Sequence, residues 1–380
     1  MLGFMVILTA VLLTVLLFFA YMLRYIVSAA YYRRAAGGML LLSVLLALGV
    51  YGLRRSFSEA WLAGCTEFLA MLFMAEFLLA ALTLLAVLVR GSYRRLLRVP
   101  FDSSRRRLLQ RSLLYPAAAA GAAAYGGLWE RRAAVEREFA VAVPGLPEES
   151  SGLRIAQLSD VHLGMFFSLQ DLQELLTRTA ASRPALLVLT GDIFDDDDKN
   201  EEAIRMVDSF TDRFPLGICY IYGNHEHMRR LGRIQAALHR TRIRVLDNAH
   251  VRLTEGSMPL VVAGVDYPFP RDHFAALAKA YTAEAMEGIP SGALTVLLAH
   301  HPDFFDEAVS YGVQLVLSGH THGGQIGLFG VPLVPPLFRY MRGWYTQGQT
   351  KLYVHSGNGS WFPYRLGCPP EIAYFRFERA

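Results

Sequence analysis

The chain has 380 residues, of which 53% are hydrophobic and only 18% are charged, whereas roughly a quarter of the residues in a soluble globular protein are charged. Apolar residues collect before about residue 130, and all eleven His residues lie after it. The net charge of +4 comes mostly from Arg clusters beside apolar segments, without the interleaved basic and aromatic residues of nucleic-acid-binding proteins. This composition argues against a wholly soluble protein and against a nucleic-acid partner.

Cysteine usage excludes two further classes. Cys65, Cys219 and Cys368 show no CxxC spacing, and Cys219 lies in an apparent core strand. A disulfide framework and a Cys-ligated zinc site are therefore not expected.

Four apolar segments occupy the first third of the chain. A membrane-spanning helix needs roughly 20 apolar residues; the first and third segments reach that length, the second is shorter, and the fourth is rich in Ala and Gly. The segments are Leu2–Leu23, Met39–Leu53, Leu69–Val89 and Ser112–Trp129. A cleaved signal peptide is the alternative for the first, but it lacks a charged start and a clean cleavage site. We expect residues 1–130 to form an all-α transmembrane bundle of about four helices.

Arginine placement predicts an orientation for this bundle. Eleven Arg residues lie in or beside the loops after the first and third segments, and only Arg54 and Arg55 lie in the loop after the second. Because cytoplasmic loops carry the excess of Lys and Arg, the first and third loops are expected inside. Everything after Trp129 then lies outside, provided that Ser112–Trp129 spans the bilayer.

Glu76 lies within the third apolar segment. An intramembrane carboxylate is a candidate functional residue. The alternative is an interhelical hydrogen bond or a protonated acid that faces the interior of the bundle.

Residues 131–152 are mixed and charged and end in PGLPEESSG. Pro144, Pro147 and the polar residues after them are typical of a linker or of the start of a new domain. The predicted organisation is a membrane domain at 1–130, a linker at 131–152 and a second domain at 153–380.

Six apolar runs in the second domain each end in a cluster of polar residues. LRIAQLSDVHLG is the first and VQLVLSGHTHGG the last, and helical stretches lie between the runs. Strands buried on both faces read as continuous apolar runs, and ligands of such α/β layers gather at the carboxyl ends of the strands. We therefore expect an α/β domain whose site is assembled from strand ends.

Five of these strand ends carry side chains that bind metals. In D-x-H and H-x-H, the alternation of side chains along an extended chain places both ligands on one face. Adjacent glycines let the backbone approach a metal or a phosphate. Imidazole, carboxylate and amide donors without thiolate suit Zn, Mn or Fe. The clusters are Asp160-Val161-His162, Gly191-Asp192, Gly223-Asn224-His225-Glu226, His300-His301-Pro302-Asp303 and Gly319-His320-Thr321-His322-Gly323-Gly324-Gln325.

This ordered set of motifs resembles the calcineurin-like metallophosphoesterase superfamily, and within it a bacterial membrane-associated branch. The resemblance runs from Leu153 to the C-terminus and includes G-H-T-H-G-G-Q and the tail R-L-G-C-P-P-E-I at Arg365–Ile372. It implies a β-sandwich flanked by helices and two divalent metal ions (Mn, Zn or Fe). The implied ligands are Asp160, His162 and His322 for metal one, Asn224, His300 and His320 for metal two, and Asp192 as the bridge.

Phosphate-ester hydrolysis is the chemistry that the resemblance implies. Two cations roughly 4 Å apart polarise a phosphoryl group and activate water for in-line attack. His225 is implied beside the leaving group, as a general acid or a stabiliser of the transition state. A supporting role for His225 is the alternative.

Neighbouring residues are expected to support the ligands. His301 is expected not to bind metal, because H-x-P-D matches best with His300 first, while Asp303 and Glu226 are expected to orient ligating histidines. The run Asp195–Asp198 is expected to be a solvated loop, with a raised local cation concentration as the alternative.

The segment Phe329–Gly348 contains three prolines, which argue against regular structure. Its apolar and Arg side chains make it a candidate lip over the active site, suited to an amphiphilic substrate. The alternative is an ordinary loop packed on the domain.

The leading hypothesis is a membrane-anchored phosphoesterase in a bacterial inner membrane, with an extracytoplasmic catalytic domain. Relatives in the branch include lipid-precursor pyrophosphatases, so the expected partners are the lipid bilayer and a phosphorylated, amphiphilic substrate. A transporter or sensor with a regulatory phosphoesterase domain is the alternative, supported by Glu76 alone. A degenerate binding domain is a third hypothesis, against which the intact ligand set argues.

Overall fold

A computed structural model describes residues 15–22, 58–97 and 114–380, except 255, 270–272, 329–330, 334–337 and 361, together with the single positions 34, 37, 38, 41, 44 and 45. The chain divides into two compact units. The first unit is Met1–Trp129 with Phe362–Tyr364, and the second is Glu130–Trp361 with Arg365–Ala380; the second contains the predicted site and is called here the catalytic unit.

One helix of the described residues is long and apolar enough to cross a membrane. Helix α1 (Glu59–Leu97) has 39 residues, and its apolar part is Ala60–Val89. These 30 residues rise about 45 Å, against a hydrocarbon core of about 30 Å. The predicted segment Leu69–Val89 lies within this helix, and Glu76 is 3% exposed there.

The other three predicted spans are described only in part or are short. Residues 15–22 are helical, while Met39–Leu53 lies almost entirely outside the described residues. In Ser112–Trp129, helix α2 (Leu114–Ala124) continues into a π-helical turn at Tyr125–Trp129. The four-helix bundle therefore stays a prediction.

The catalytic unit contains two six-stranded mixed sheets. The first has the order β1-β14-β2-β3-β4-β5, and the second has the order β12-β13-β9-β8-β7-β6. The strands of the first sheet are β1 (Val135–Val143), β2 (Arg154–Leu158), β3 (Leu186–Thr190), β4 (Ile218–Ile221), β5 (Arg244–Val245) and β14 (Glu371–Arg379). Those of the second are β6 (Ala249–Arg252), β7 (Leu260–Val265), β8 (Leu294–Ala299), β9 (Leu315–Ser318), β12 (Gly343–Gln347) and β13 (Thr350–Val354). The short strands β10 (Gly327–Leu328) and β11 (Val331–Pro332) form a separate hairpin.

In the part of the unit that the structure describes, six α-helices flank or connect these sheets. They are α3 (Leu169–Ala181), α4 (Asn200–Ser209), α5 (Asn224–Met228), α6 (Leu231–Leu238), α7 (Phe274–Met286) and α8 (Phe305–Ser310). Helices α3, α4 and α6 pack on the outer face of the first sheet, and α7 and α8 pack on that of the second.

A hydrophobic core lies between the two sheets. Along β3, Leu186 and Val188 point into this core, and Leu187 and Leu189 point toward the helices. Both faces of the strand are thus buried, which explains its unbroken apolar sequence. The structure confirms an α/β fold in which two sheets form a sandwich flanked by helices.

Part of the predicted linker is a strand of the first sheet. Strand β1 pairs in parallel with β14, from Val135 with Glu371 to Val143 with Arg379. Its side chains also form ion pairs, such as Glu138 with Arg154 at 2.8 Å. The catalytic unit therefore begins at Glu130, before the boundary that the two prolines suggested.

Candidate metal centre

The predicted ligands follow the carboxyl ends of five strands in the middle of the two sheets. Strands β2, β3 and β4 are mutually parallel, and so are β8 and β9. Parallel strands end at the same edge of a sheet, so the topology brings these side chains together. Asp160 and His162 follow β2, Asp192 follows β3, Asn224 and His225 follow β4, His300 follows β8, and His320 and His322 follow β9.

The carboxylate oxygens and imidazole nitrogens of these side chains form three groups. In each group, the atoms lie within 4.8 Å of one another. The groups are Asp160, His162 and His322; His162, Asp192 and His225; and Asp192, His300 and His320. Because His162 and Asp192 each belong to two groups, the donors form one continuous cluster.

The backbone is left-handed at five residues of this cluster. The φ angles are 51° at Asp160, 48° at His162, 54° at Asp192, 72° at His320 and 51° at His322. This conformation costs a non-glycine residue of order 1–3 kcal/mol and recurs at functional sites, where the surrounding structure holds it. At Asp160, for example, the backbone N–H donates to the Gly191 carbonyl oxygen at 3.0 Å.

Asp192 lies at the centre of the cluster. Its Oδ2 lies 3.2 Å from His300 Nε2 and 3.7 Å from His162 Nε2. Burial acts to raise the pKa of Asp192, but the neighbouring histidines, His300 above all, hold it well below its ordinary value. A Cβ at Gly223 would lie 2.2 Å from Asp192 Oδ1, so only glycine fits there. The ionised carboxylate faces ligands of both implied metals, as a bridge requires.

Glu226 holds the turn that carries Asp192. Its carboxylate is fully buried and accepts hydrogen bonds from the backbone N–H groups of Asp192 at 3.0 Å, Ile193 at 2.8 Å, Phe194 at 3.0 Å and Gly223 at 2.8 Å. The sequence predicted that Glu226 would orient a histidine. The structure shows that it orients the backbone of the central aspartate instead.

Asp195, which was predicted in a solvated loop, lies inside the site. Its Oδ2 accepts hydrogen bonds from Nδ1 of His225 at 2.8 Å and Nδ1 of His162 at 3.0 Å, and its Oδ1 pairs with Arg229 at 2.7 Å. Burial acts to raise the pKa of Asp195, but the two histidines lower it to about 2. Since Nδ1 of each ring donates to Asp195, Nε2 of each is left to bind metal or substrate.

His225 lies at the rim of the cluster, with its side chain 23% exposed. Burial acts to lower its pKa, but the hydrogen bond to Asp195 and the charge of Asp192 raise it to about 9. The two carboxylates thus favour the protonated form of His225, at a position that solvent can reach.

The adjacent His300 and His301 have different hydrogen-bond partners, and the His301 ring lies 4.8 Å from that of His320. Nδ1 of His300 lies 2.7 Å from the carbonyl oxygen of Thr190, so it donates there and Nε2 faces Asp192. Nδ1 of His301 accepts the backbone N–H of Asp303 at 3.2 Å. Asp303 therefore contacts His301, whereas the sequence predicted that it would orient a ligating histidine.

The arrangement of donors fits two divalent cations. His162 Nε2 lies 3.0 Å from His322 Nε2, and His300 Nε2 lies 3.2 Å from His320 Nδ1. Ring nitrogens this close need a proton or a cation between them. Among the described residues, the buried Oδ1 of Asn224 accepts no hydrogen bond, although buried polar atoms are normally paired. Cations bound by these imidazole, carboxylate and amide groups would satisfy all of these atoms.

The C-terminal tail packs behind His322. The buried guanidinium of Arg365 donates to the carbonyl oxygens of Gly359 at 2.6 Å and Cys368 at 3.0 Å, and its Nη2 lies 3.5 Å from His322 Nδ1. The Cys368 Sγ lies 3.4 Å from the His322 carbonyl oxygen. The sequence indicated the tail only as a family feature; the structure shows that it supports a predicted ligand.

Part of the predicted lip reaches the site. The Phe338 ring lies 5.0 Å from the His320 ring. The Tyr267 ring, which follows the end of β7, lies 5.6 Å from the His320 ring. The segment Phe329–Gly348 is not wholly irregular, because it contains β11 and β12.

Comparison with known proteins supports the family assignment. Residues 153–324 match the model of the calcineurin-like phosphoesterase family. An uncharacterized metallophosphoesterase of Bacillus subtilis is 31% identical over 293 residues, which cover 72% of this chain and 98% of that protein. One of Helicobacter pylori is 31% identical over 59% of each chain. A Danio rerio protein described as a transmembrane protein with metallophosphoesterase domain is 29% identical over 63% of this chain and 56% of its own length. The chain therefore belongs to the calcineurin-like metallophosphoesterase family and is a metal-dependent phosphoester hydrolase.

Proposed function

We propose that the chain is a membrane-anchored, two-metal phosphoesterase that cleaves a phosphate ester or pyrophosphate of a lipid or cell-envelope substrate. The observation that carries the proposal is the continuous donor cluster, in which His162 and Asp192 each belong to two of the three groups. A single metal would leave part of this cluster without a function.

The donors divide between the two metals by position. Asp160, His162 and His322 would hold metal one, and Asn224, His300 and His320 would hold metal two, with Asp192 shared. Bound there, the two cations would polarise the phosphoryl group and lower the pKa of the attacking water. The strained backbone positions and the Glu226 hydrogen bonds fix the ligands in advance.

His225 would act on the leaving group. Its Nδ1 is held by Asp195 at 2.8 Å, which fixes the ring and leaves Nε2 for the substrate. An imidazolium at the rim can donate its proton to the departing oxygen, and Asp195 stabilises that charged form.

Membrane anchoring rests on helix α1 and on transmembrane relatives. The Arg pattern would place the catalytic unit outside the cytoplasm, in a bacterial inner membrane. An apolar lip beside the metal-two ligands suits a phosphorylated amphiphile.

The test uses the full chain, purified in detergent and freed of metal with a chelator. Mn²⁺ or Zn²⁺ is then titrated in, and hydrolysis of p-nitrophenyl phosphate, its bis-ester and phosphorylated lipids is followed. We expect activity to return as two equivalents bind. Full activity with one equivalent would contradict the two-metal assignment, and hydrolysis of none of these compounds would contradict the substrate class.

A further inference from the structure

Thirteen consecutive residues after the last histidine motif carry no polar side chain. They run from Ile326 to Phe338, between Gln325 and Arg339. An apolar stretch of roughly 10–14 residues is too short to span a bilayer and is typical of a buried core element or an interfacial segment.

Three aliphatic side chains of this run are exposed, so the hairpin is not a core element. Leu328 is 54% exposed, Val331 is 64% exposed and Leu333 is 60% exposed. In the antiparallel hairpin, Leu328 lies opposite Val331, and the Leu333 N–H continues the pairing by donating to Ile326 O at 2.9 Å. Cross-strand partners and residues two apart share a face. The three aliphatic side chains therefore form one apolar face, called here the hairpin face.

The base of the hairpin is fixed beside the metal centre. The Gly327 N–H donates to Leu366 O at 2.7 Å, which ties the hairpin to the tail that supports His322. The chain reaches Gly327 five residues after His322. The hairpin face thus has a rigid attachment close to a predicted ligand of metal one.

A cationic side chain lies between the hairpin base and the metal centre. Arg342 donates to Gly367 O at 3.3 Å, and a Cβ at Gly323 would lie 3.0 Å from Arg342 Cδ. Arg342 therefore contacts both the tail that pairs with the hairpin base and the loop that carries His322. An interfacial element has this arrangement, with apolar side chains in the acyl region and basic groups at the phosphate headgroups.

We propose that the hairpin face binds a lipid bilayer surface and holds the mouth of the active site at the headgroup level. This inference rests on the proposed function and specifies it: the enzyme takes a phosphorylated lipid directly from the bilayer. A bilayer is also the partner of the proposed membrane anchor, because the 30-residue apolar stretch of α1 is long and apolar enough to cross one. A second copy of the chain and an acyl chain free in solution are the competing occupants.

The first test measures contact between the hairpin face and lipid in the full chain. Val331→Cys is made in a Cys65→Ala background and labelled with an environment-sensitive fluorophore; Cys219 and Cys368 are fully buried and do not react. The protein is reconstituted in phosphatidylethanolamine–phosphatidylglycerol vesicles with or without doxyl-labelled lipid. Gln173→Cys on the exposed face of α3 is the aqueous control, and Phe68→Cys on α1 is the membrane reference.

We expect the dye at 331 to emit at shorter wavelength in vesicles and to be quenched by doxyl lipid, with neither effect at 173. Quenching at 68 without quenching at 331 overturns this proposal and leaves membrane anchoring intact. A blue shift at 331 without quenching identifies a protein surface as the occupant and also overturns it. Absence of quenching at both 68 and 331 overturns anchoring as well.

The second test measures the ratio of hydrolysis of a vesicle-borne phosphate ester to that of a water-soluble one. Val331→Asp places a charge in the hairpin face and should lower this ratio about tenfold. Val331→Leu should keep it. An unchanged ratio in Val331→Asp overturns the proposal. The ratio is also unchanged if hydrolysis of the vesicle-borne and the water-soluble ester falls in parallel. A wild-type chain that cleaves neither ester contradicts the proposed function, and the quenching result then decides this inference separately.

Discussion

Glu226 accepts a hydrogen bond from the backbone N–H of Asp192 at 3.0 Å, so the central aspartate takes its position from a second acid. The Glu226 Oε2 also accepts the N–H of Gly223, and its Oε1 accepts those of Ile193 and Phe194. Hydrogen bonds to a buried carboxylate are stronger than those between neutral groups. The turn after β3 is therefore shaped around the Glu226 carboxylate.

Glu226→Gln should destabilise the catalytic unit. The new amide nitrogen would replace one carboxylate oxygen and face two backbone N–H donors, which leaves both unsatisfied. We expect a loss of about 3–5 kcal/mol in the free energy of unfolding, measured by urea titration of the full chain in detergent. The matched control is Glu201→Gln on α4. The Glu201 side chain is 42% exposed and pairs with Arg233, so its loss should lower the free energy of unfolding by less than about 1 kcal/mol. Equal stability of the two variants would contradict the role of Glu226.

Asp192→Ala and His225→Ala should differ in their effect on metal content. Asp192→Ala removes the carboxylate that we propose bridges both metals, so the purified protein should hold fewer than two equivalents by elemental analysis. His225→Ala should keep both metals and lower kcat by about 100-fold to 10,000-fold, as for loss of a general acid. Loss of metal from His225→Ala would show that its assignment is wrong.

Asp195→Asn should impair both His162 and His225. Both Nδ1 donors share one carboxylate oxygen, Oδ2, while Oδ1 pairs with Arg229. The amide removes the negative charge that both imidazoles face, and its NH2 group must point either at Arg229 or at the two Nδ1 donors. We expect metal affinity or kcat/KM to fall about 10-fold to 100-fold. Asp198→Asn, in the exposed part of the same Asp run, is the control and should change neither quantity. Indistinguishable activities of the two variants would place Asp195 outside the mechanism.

The fold of the catalytic unit and the cluster of ligands follow from local sequence patterns. Each buried strand is a continuous apolar run, and the polar cluster at its end marks the sheet edge. This logic locates Asp160, Asp192 and His300 without any three-dimensional information. It cannot locate β1, because an edge strand with Glu and Arg on its exposed face resembles a charged linker.

Support of the ligands by distant residues could not be predicted in this way. Arg365 contacts His322 across 43 positions, and no local pattern records that contact. For Asp195, a local signal did exist. In the run Asp195–Asp198, Asp195 alone lies three residues after Asp192. The two residues between them, Ile193 and Phe194, are apolar and buried. That spacing distinguishes Asp195 from the surface aspartates after it.

The catalytic unit should lie outside the cytoplasm if α2 and the turn after it cross the bilayer. The Arg distribution favours that orientation, because eleven Arg residues lie in or beside the first and third loops and only two lie in the second. The helical residues 114–129 span about 24 Å, less than the hydrocarbon core of about 30 Å, so crossing requires a few flanking residues as well. In intact cells, Gln173→Cys in the Cys65→Ala background should react with a membrane-impermeant thiol reagent. Reaction only after lysis would place the unit in the cytoplasm and α2 along the membrane surface, with the metal chemistry unchanged.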